Sequence, residues 1–205
     1  SLTAVVLGKF AAGYVLLLLT LGLTFPLVLT LGYLGDPDPG VIISGYLACA
    51  LLLGVCFSLA LFAAALVREP VGGFVTGVAL LFVIMLCGWD VFGRLLRTTL
   101  PQWAWESLAA YSPVTWLSSL GAGVLHFQGL FYFLATIFVA LMATHWVMRA
   151  RRAGDIRCHV TRRQGVTVLA LGVLWLVGGP LSSYLPGPVD LTAQNEFSLH
   201  AGTKK

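Results

Sequence analysis

The chain predicts an all-α fold, a polytopic transmembrane helix bundle. Three observations carry this: 59% of its 205 residues are hydrophobic, only 10% are charged, and the mean hydropathy is +0.93. So little polar surface cannot cover a core in water. The apolar runs are unbroken and not alternating, which excludes a transmembrane β-barrel and matches helices crossing a hydrocarbon layer of ~30 Å. Five such spans are expected, at residues 9–34, 41–67, 71–92, 130–148 and 165–185, with short interfacial helices on the extracytoplasmic side between the third and fourth.

The first span contains Pro26, which removes one backbone hydrogen bond and predicts a kink that Thr24 and Thr30 could compensate. GDPDPG at 35–40 then makes a tight turn. The second span is long enough to cross with some tilt and ends at Arg68, Glu69 and Pro70. The third opens with Gly73 and Gly77, a GxxxG spacing that permits close approach of another helix inside the bundle.

Between 93 and 128 the aromatic residues Trp103, Trp105, Tyr111 and Trp116 suit the headgroup layer. Ser112 and Pro113 form a good helix start, a side-chain cap followed by a ring whose missing N–H is not needed. Trp116, Leu120 and Val124 recur every four residues behind it, so one or two short helices lie at the interface or dip into it and return.

After the fourth span comes RARRAGDIRCHVTRR, the one dense run of charge. Six of the twelve Lys and Arg residues fall there: Arg149, Arg151, Arg152, Arg157, Arg162 and Arg163. With this connector cytoplasmic, alternation over five spans also puts Lys9 and Arg68 inside. Eight basic residues then face Arg94, Arg97, Lys204 and Lys205 on the other side, in accord with the positive-inside rule. The N-terminal end is thus expected in the cytoplasm and the C-terminal tail outside. Because the basic residues cluster at helix ends, the net charge of +4 is not a nucleic-acid signal. The connector's arginines either fix topology against anionic headgroups or dock a soluble partner.

Cys49, Cys56, Cys87 and Cys158 show no CxxC spacing. The first three read as small buried hydrophobes, and no disulfide is expected. The chain opens at Ser1 and stops just after a polar segment begins, so it is expected to be a fragment of a longer protein.

Chemistry-bearing motifs are scarce. There is no GxxxxGK[ST] phosphate loop, no HExxH, no GxSxG and no pair of carboxylates within a helical turn, so no enzyme activity, catalytic residue or metal site is expected in this chain. The ionisable groups inside spans are the candidates that remain. Asp90 sits four residues before Arg94, a spacing that suits a neutralising interfacial pair. His145 lies near the end of the fourth span, one turn before Arg149, and reads as a satisfied interfacial histidine.

Two stretches resemble a known family. VLGKFAAGYVLLLLTLGLTFPLVLTLGYLGDPDPG with VIISGYLACALLLGVCFSLALFAAALVREP, and later YSPVTWLSSLGAGVLHFQGLFYFLATIFVAL, resemble permeases of the type-2 ABC exporter superfamily, of the gliding-motility and nitrous-oxide-reductase-maturation kind. Gln128 stands where that family has an acidic residue. RRQGVTVLALGVLWLVGGPLSSYLPGPVDLTAQNEFSLHAGTKK is similar to the start of their auxiliary subunit, an arginine-flanked span leading into an extracytoplasmic domain. The motif residues are Asp190, Leu191, Thr192, Ser198 and Leu199, with His200 replacing the usual serine.

The resemblance implies a fusion. Residues 1–150 would be the last four spans of a six-span permease, 151–164 a cytoplasmic basic connector, 165–186 the membrane anchor of the auxiliary part, and 187–205 the start of its extracytoplasmic domain. It further implies a bacterial cytoplasmic membrane, a second permease copy, and a separate cytoplasmic ABC ATPase carrying the ATP and Mg, met through Lys9, Arg68 and Glu69. No cofactor is expected in this chain itself. The alternative is a non-transporting accessory subunit of a larger complex. A secondary transporter ranks third, for want of midspan carboxylates.

Overall fold

The computed structural model describes residues 2–35, 38–67, 69–86, 113–121, 123–125, 127–152 and 189–190. These form six helices and one two-residue strand pair: α1 (Leu2–Gly22), α2 (Phe25–Leu34), α3 (Pro39–Leu66), α4 (Pro70–Leu86), α5 (Pro113–Gly121), β1 (Val124–Leu125), α6 (Phe127–Arg152) and β2 (Val189–Asp190). Three stretches are long and apolar enough to cross a membrane: Leu2–Leu34, Pro39–Leu66 and Phe127–Arg151, of mean hydropathy 2.3, 2.5 and 1.8. The chain is therefore membrane-embedded and α-helical.

The first span starts at Leu2 instead of residue 9, with Lys9 inside α1, and it breaks at Leu23 and Thr24. The expected kink thus falls before Pro26, because the ring clashes with the carbonyl four residues earlier, that of Gly22. Pro26 itself occupies the first turn of α2, where a missing N–H costs nothing. Thr24 stitches the break: its hydroxyl meets Leu21 O at 2.6 Å and Tyr46 Oη of α3 at 2.9 Å. Thr30 bonds Leu27 O, inside its own helix.

α3 begins where the sequence predicts a turn. Asp38 Oδ1 accepts the Gly40 N–H at 2.8 Å, and Pro39 holds the first helical position. Its end is set by Pro70, which disfavours helical geometry at Glu69 and then opens α4. At 17 residues α4 is about 25 Å long, short of a full crossing. Residues 87–92, which the sequence assigns to the same span, lie outside the described residues.

α5 starts at Pro113 as predicted and stops at Gly121. Val124, expected to continue its periodicity, is in β1 instead: Gly123 adopts φ 91° and donates its N–H to Leu120 O, ending the helix in a left-handed turn. α6 then runs four residues beyond the expected end at Met148, so Arg149, Arg151 and Arg152 belong to a helical turn and not to the connector. Arginine is a good helix former and its charge suits a helix C-terminus.

α3 is the hub, with α1, α4, α5 and α6 all packing on it. The core cluster is Ala48, Leu51 and Val55 of α3, Leu120 of α5, and Tyr132 and Phe133 of α6. α4 folds back antiparallel on α3, with Gly73 beside Ala64 and Gly77 beside Ala63. Buried Ser58 and Thr144 donate their hydroxyls to Val55 O and Ala140 O of their own helices, which removes the penalty of an unpaired polar group in hydrocarbon.

The strand pair fixes a topological fact. β1 and β2 are antiparallel, with Val124 opposite Asp190 and Leu125 opposite Val189. α6 begins two residues after β1 and carries the chain roughly 39 Å away to Arg152. By Val189 the chain is back at the starting end. The expected fifth span, 165–185, lies outside the described residues; the described residues nearest to it on either side, Arg152 and Val189, lie at opposite ends of the bundle.

Candidate functional site

The start of α1, the end of α3 and the end of α6 meet at one end of the bundle. Between them is a cleft of about 310 Å³ lined by Val6, Lys9, Leu61, Ala64, Ala65, Thr144, Met148 and Arg151. Two of these are cations; most of the remainder are apolar. Each helix supplies its part through spacing. On α1, Val6 and Lys9 are three residues apart; on α3, Leu61, Ala64 and Ala65 form one turn; on α6, Thr144, Met148 and Arg151 follow at four and three.

Arg151 is half-buried and donates from Nη1 to Val67 O at 3.3 Å, the carbonyl that closes α3. This ties the last turn of α6 to the turn between α3 and α4. Four guanidinium N–H groups remain beyond that bond. Lys9 is exposed, and among the described residues neither cation makes an ion pair. Thr144 is buried and its hydroxyl is committed to Ala140 O, so it offers the cleft an acceptor and no free proton.

Comparison with family models, curated proteins and solved structures returns no match.

The sequence candidates separate into groups. Lys9 and Glu69 lie at the basic end, Glu69 exposed on the α3–α4 turn; Arg68, between Val67 and Glu69 in the chain, lies outside the described residues. Lys9 and Arg151, which the sequence assigned to different roles, share one cleft. Arg149 is exposed and is not one of the residues lining the cleft. Arg157, Arg162 and Arg163 of the connector, Asp90, and the motif residues Leu191, Thr192, Ser198 and Leu199 lie outside the described residues. Asp190 is at the opposite end, in β2.

Gly73 and Gly77 are buried against the alanines of α3, which is the close helix packing the spacing predicts. His145 differs from its expected satisfied state: it is half-buried and its Nδ1 is enclosed without a hydrogen-bond partner. No group of three His, Cys, Asp or Glu residues that could hold a metal occurs among the described residues, and Cys49 and Cys56 are free thiols there.

Sequence reasoning missed the α1–α3 seam. Phe57 covers Gly13, Phe10 stacks on Tyr14 with centroids 5.4 Å apart, and Tyr14 Oη donates to Ala50 O at 3.0 Å. The signal was present: Phe10, Gly13 and Tyr14 follow at three and four, an aromatic stripe around a glycine notch.

Proposed function

We propose that this chain is the transmembrane part of an ATP-driven, ABC-type export machine, with ATP hydrolysed on a separate cytoplasmic subunit. The observation that carries this reading is the convergence of Lys9, the α3–α4 turn with Glu69, and the α6 arginines at one end of the bundle. A soluble ATPase needs such a docking face, and the positive-inside bias supports a cytoplasmic position for it. The order of the two resembling segments supports the same reading, and it extends to a permease–auxiliary fusion, a second permease copy and the bacterial inner membrane. The return of the chain to the β1 end by Val189 fits an auxiliary domain on the extracytoplasmic side.

A second reading is favoured by a different observation. The buried hydroxyls of Ser44, Ser58 and Thr144 all donate to their own helix backbones, so none of these three has a proton free for a polar path. That suits a non-transporting subunit that scaffolds a larger complex or transmits motion.

The test is purification from native membranes in mild detergent, followed by mass spectrometry and reconstitution. The export reading expects an ATP-binding subunit to co-purify and to lose attachment with Glu69→Lys. An assembly free of any ATPase, without nucleotide-dependent activity in vesicles, overturns it in favour of the scaffold.

A further inference from the structure

We propose that the cleft between α1, α3 and α6 is a binding site for an anionic phospholipid, with the headgroup phosphate held by Lys9 and Arg151 and an acyl chain against Val6, Leu61 and Met148. The inference holds whether or not the bundle transports anything.

The chemistry of the lining is divided in the way an amphiphile requires. Both polar cations carry positive charge, and among the described residues no carboxylate neutralises either. Arg151 is the better anchor. Its bond to Val67 O holds one edge of the guanidinium, and the remaining N–H groups can grip a phosphate in fork geometry. Lys9 adds a flexible point charge from the facing helix.

Location selects lipid over a soluble anion. α1 beside the cleft is exposed and apolar, with Val5 41% and Leu7 55% exposed, so this flank faces hydrocarbon. The cleft runs along the last two turns of α6 and the last turn and a half of α3, beside the further arginines Arg149 and Arg152 of α6, which is headgroup depth in a bundle of this length. Basic clefts between transmembrane helices at the cytoplasmic boundary are where anionic headgroups bind. A volume of about 310 Å³ accommodates a phosphate with its glycerol and the first methylenes of a chain, and leaves the rest of the lipid in the bilayer.

The experiment uses the full chain in nanodiscs of phosphatidylcholine with a minor fraction of phosphatidylglycerol, and reads retained lipid by native mass spectrometry after detergent extraction. The wild type should retain phosphatidylglycerol over phosphatidylcholine. Lys9→Gln and Arg151→Gln should each lower that preference about fivefold, in line with one surface cation's contribution. Arg149→Gln, on the same helix end but outside the cleft, should leave it unchanged. Equal loss with Arg149→Gln would mean diffuse surface charge and overturn the site. Displacement of the lipid by millimolar inorganic phosphate or glycerol 3-phosphate would assign the cleft to a soluble anion instead. A wild type without headgroup preference refutes the proposal regardless of how the variants fold.

Discussion

Gly73 and Gly77 are interchangeable in the GxxxG spacing, yet the structure makes them unequal, and that difference can be measured. A Cβ built on Gly73 would stand 3.3 Å from Ala64 Cα, whereas on Gly77 its nearest neighbours would be Ala63 Cβ at 3.6 Å and Ala60 Cα at 3.9 Å. Optimal carbon contacts are about 3.5–4.0 Å, each gaining roughly 0.1–0.2 kcal/mol. The methyl of Gly77→Ala therefore lands in a favourable shell. At Gly73 it meets backbone, which cannot swing aside, and α4 must retreat from α3 by a few tenths of an ångström.

The gain in helix propensity, up to about 1 kcal/mol for Gly→Ala, is common to both sites and cancels in their difference. Overpacking costs about 1–3 kcal/mol, and the low end applies because only one atom is crowded. Gly77→Ala should thus be neutral or up to about 1 kcal/mol more stable than wild type, and Gly73→Ala about 1–2 kcal/mol less stable than Gly77→Ala. Leucine at either position should push α4 off α3. Reversible unfolding in bicelles, read by steric trapping across the α3–α4 hairpin, gives the stabilities of the wild type and the four variants. If Gly77→Ala proves the more damaging of the two, or if both leucine variants are tolerated, the antiparallel packing register is wrong.

Four further outcomes follow from the same contacts. Phe133 is fully buried in the core cluster, and Phe133→Ala should destabilise by about 2–3 kcal/mol in bicelles, below the value in water because lipid is as apolar as the site it leaves. A double-mutant cycle of Thr24→Val and Tyr46→Phe, measured by the same unfolding, should give a coupling near 0.6 kcal/mol, the usual worth of an interhelical hydrogen bond in lipid. Gly123→Ala forces a left-handed φ on a residue with a Cβ and should cost about 1–2 kcal/mol, with Gly123→Asn less harmful. In sealed vesicles of a cysteine-free background, a cysteine at Asp190 and one at Arg149 should label from opposite sides, since β2 and the end of α6 lie at opposite ends.

Helix starts were legible in the sequence because their causes are local. Pro39 after Asp38, Pro70 after Glu69, and Pro113 each combine a restricted φ with the lack of an N–H that the first turn does not need, and the structure opens helices at all three. Ends governed by something other than a breaker were missed. Lys9 looked like the edge of a span because a charge is costly in hydrocarbon, but it fits within α1 by lining the cleft. The arginines after Met148 looked like a connector, although nothing in them opposes a helix. Val124 kept a four-residue period that Gly123 cancels. The cleft itself was not legible at all. Periodicity tells which face of a soluble helix is buried, but here every face is apolar, so hydropathy carries no mark of which helices line the cleft.

What joins these helices bears on how the bundle could work. In lipid there is no hydrophobic gain from helix association, so contact area and backbone proximity must supply it. The buried face of α3 meets that need with small residues: Ser44, Ala48, Gly54, Ser58, Ala63 and Ala65 are all buried. A Cβ at Gly54 would stand 2.8 Å from Ile137 Cδ1 of α6 and 3.3 Å from Tyr14 Cε2 of α1, so two neighbours close on one notch. α3 therefore cannot slide without taking α1 and α6 along. At its end, Val67 O is held by Arg151, which adds a polar tie between α3 and α6 beside the exposed Glu69. Under the proposed function, a force applied by an ATPase at the α3–α4 turn would move α1, α3 and α6 as one body. α4, seated on α3 through the close contacts of Gly73 and Gly77, would follow α3 and carry its exposed Phe74, Val78 and Phe82 with it.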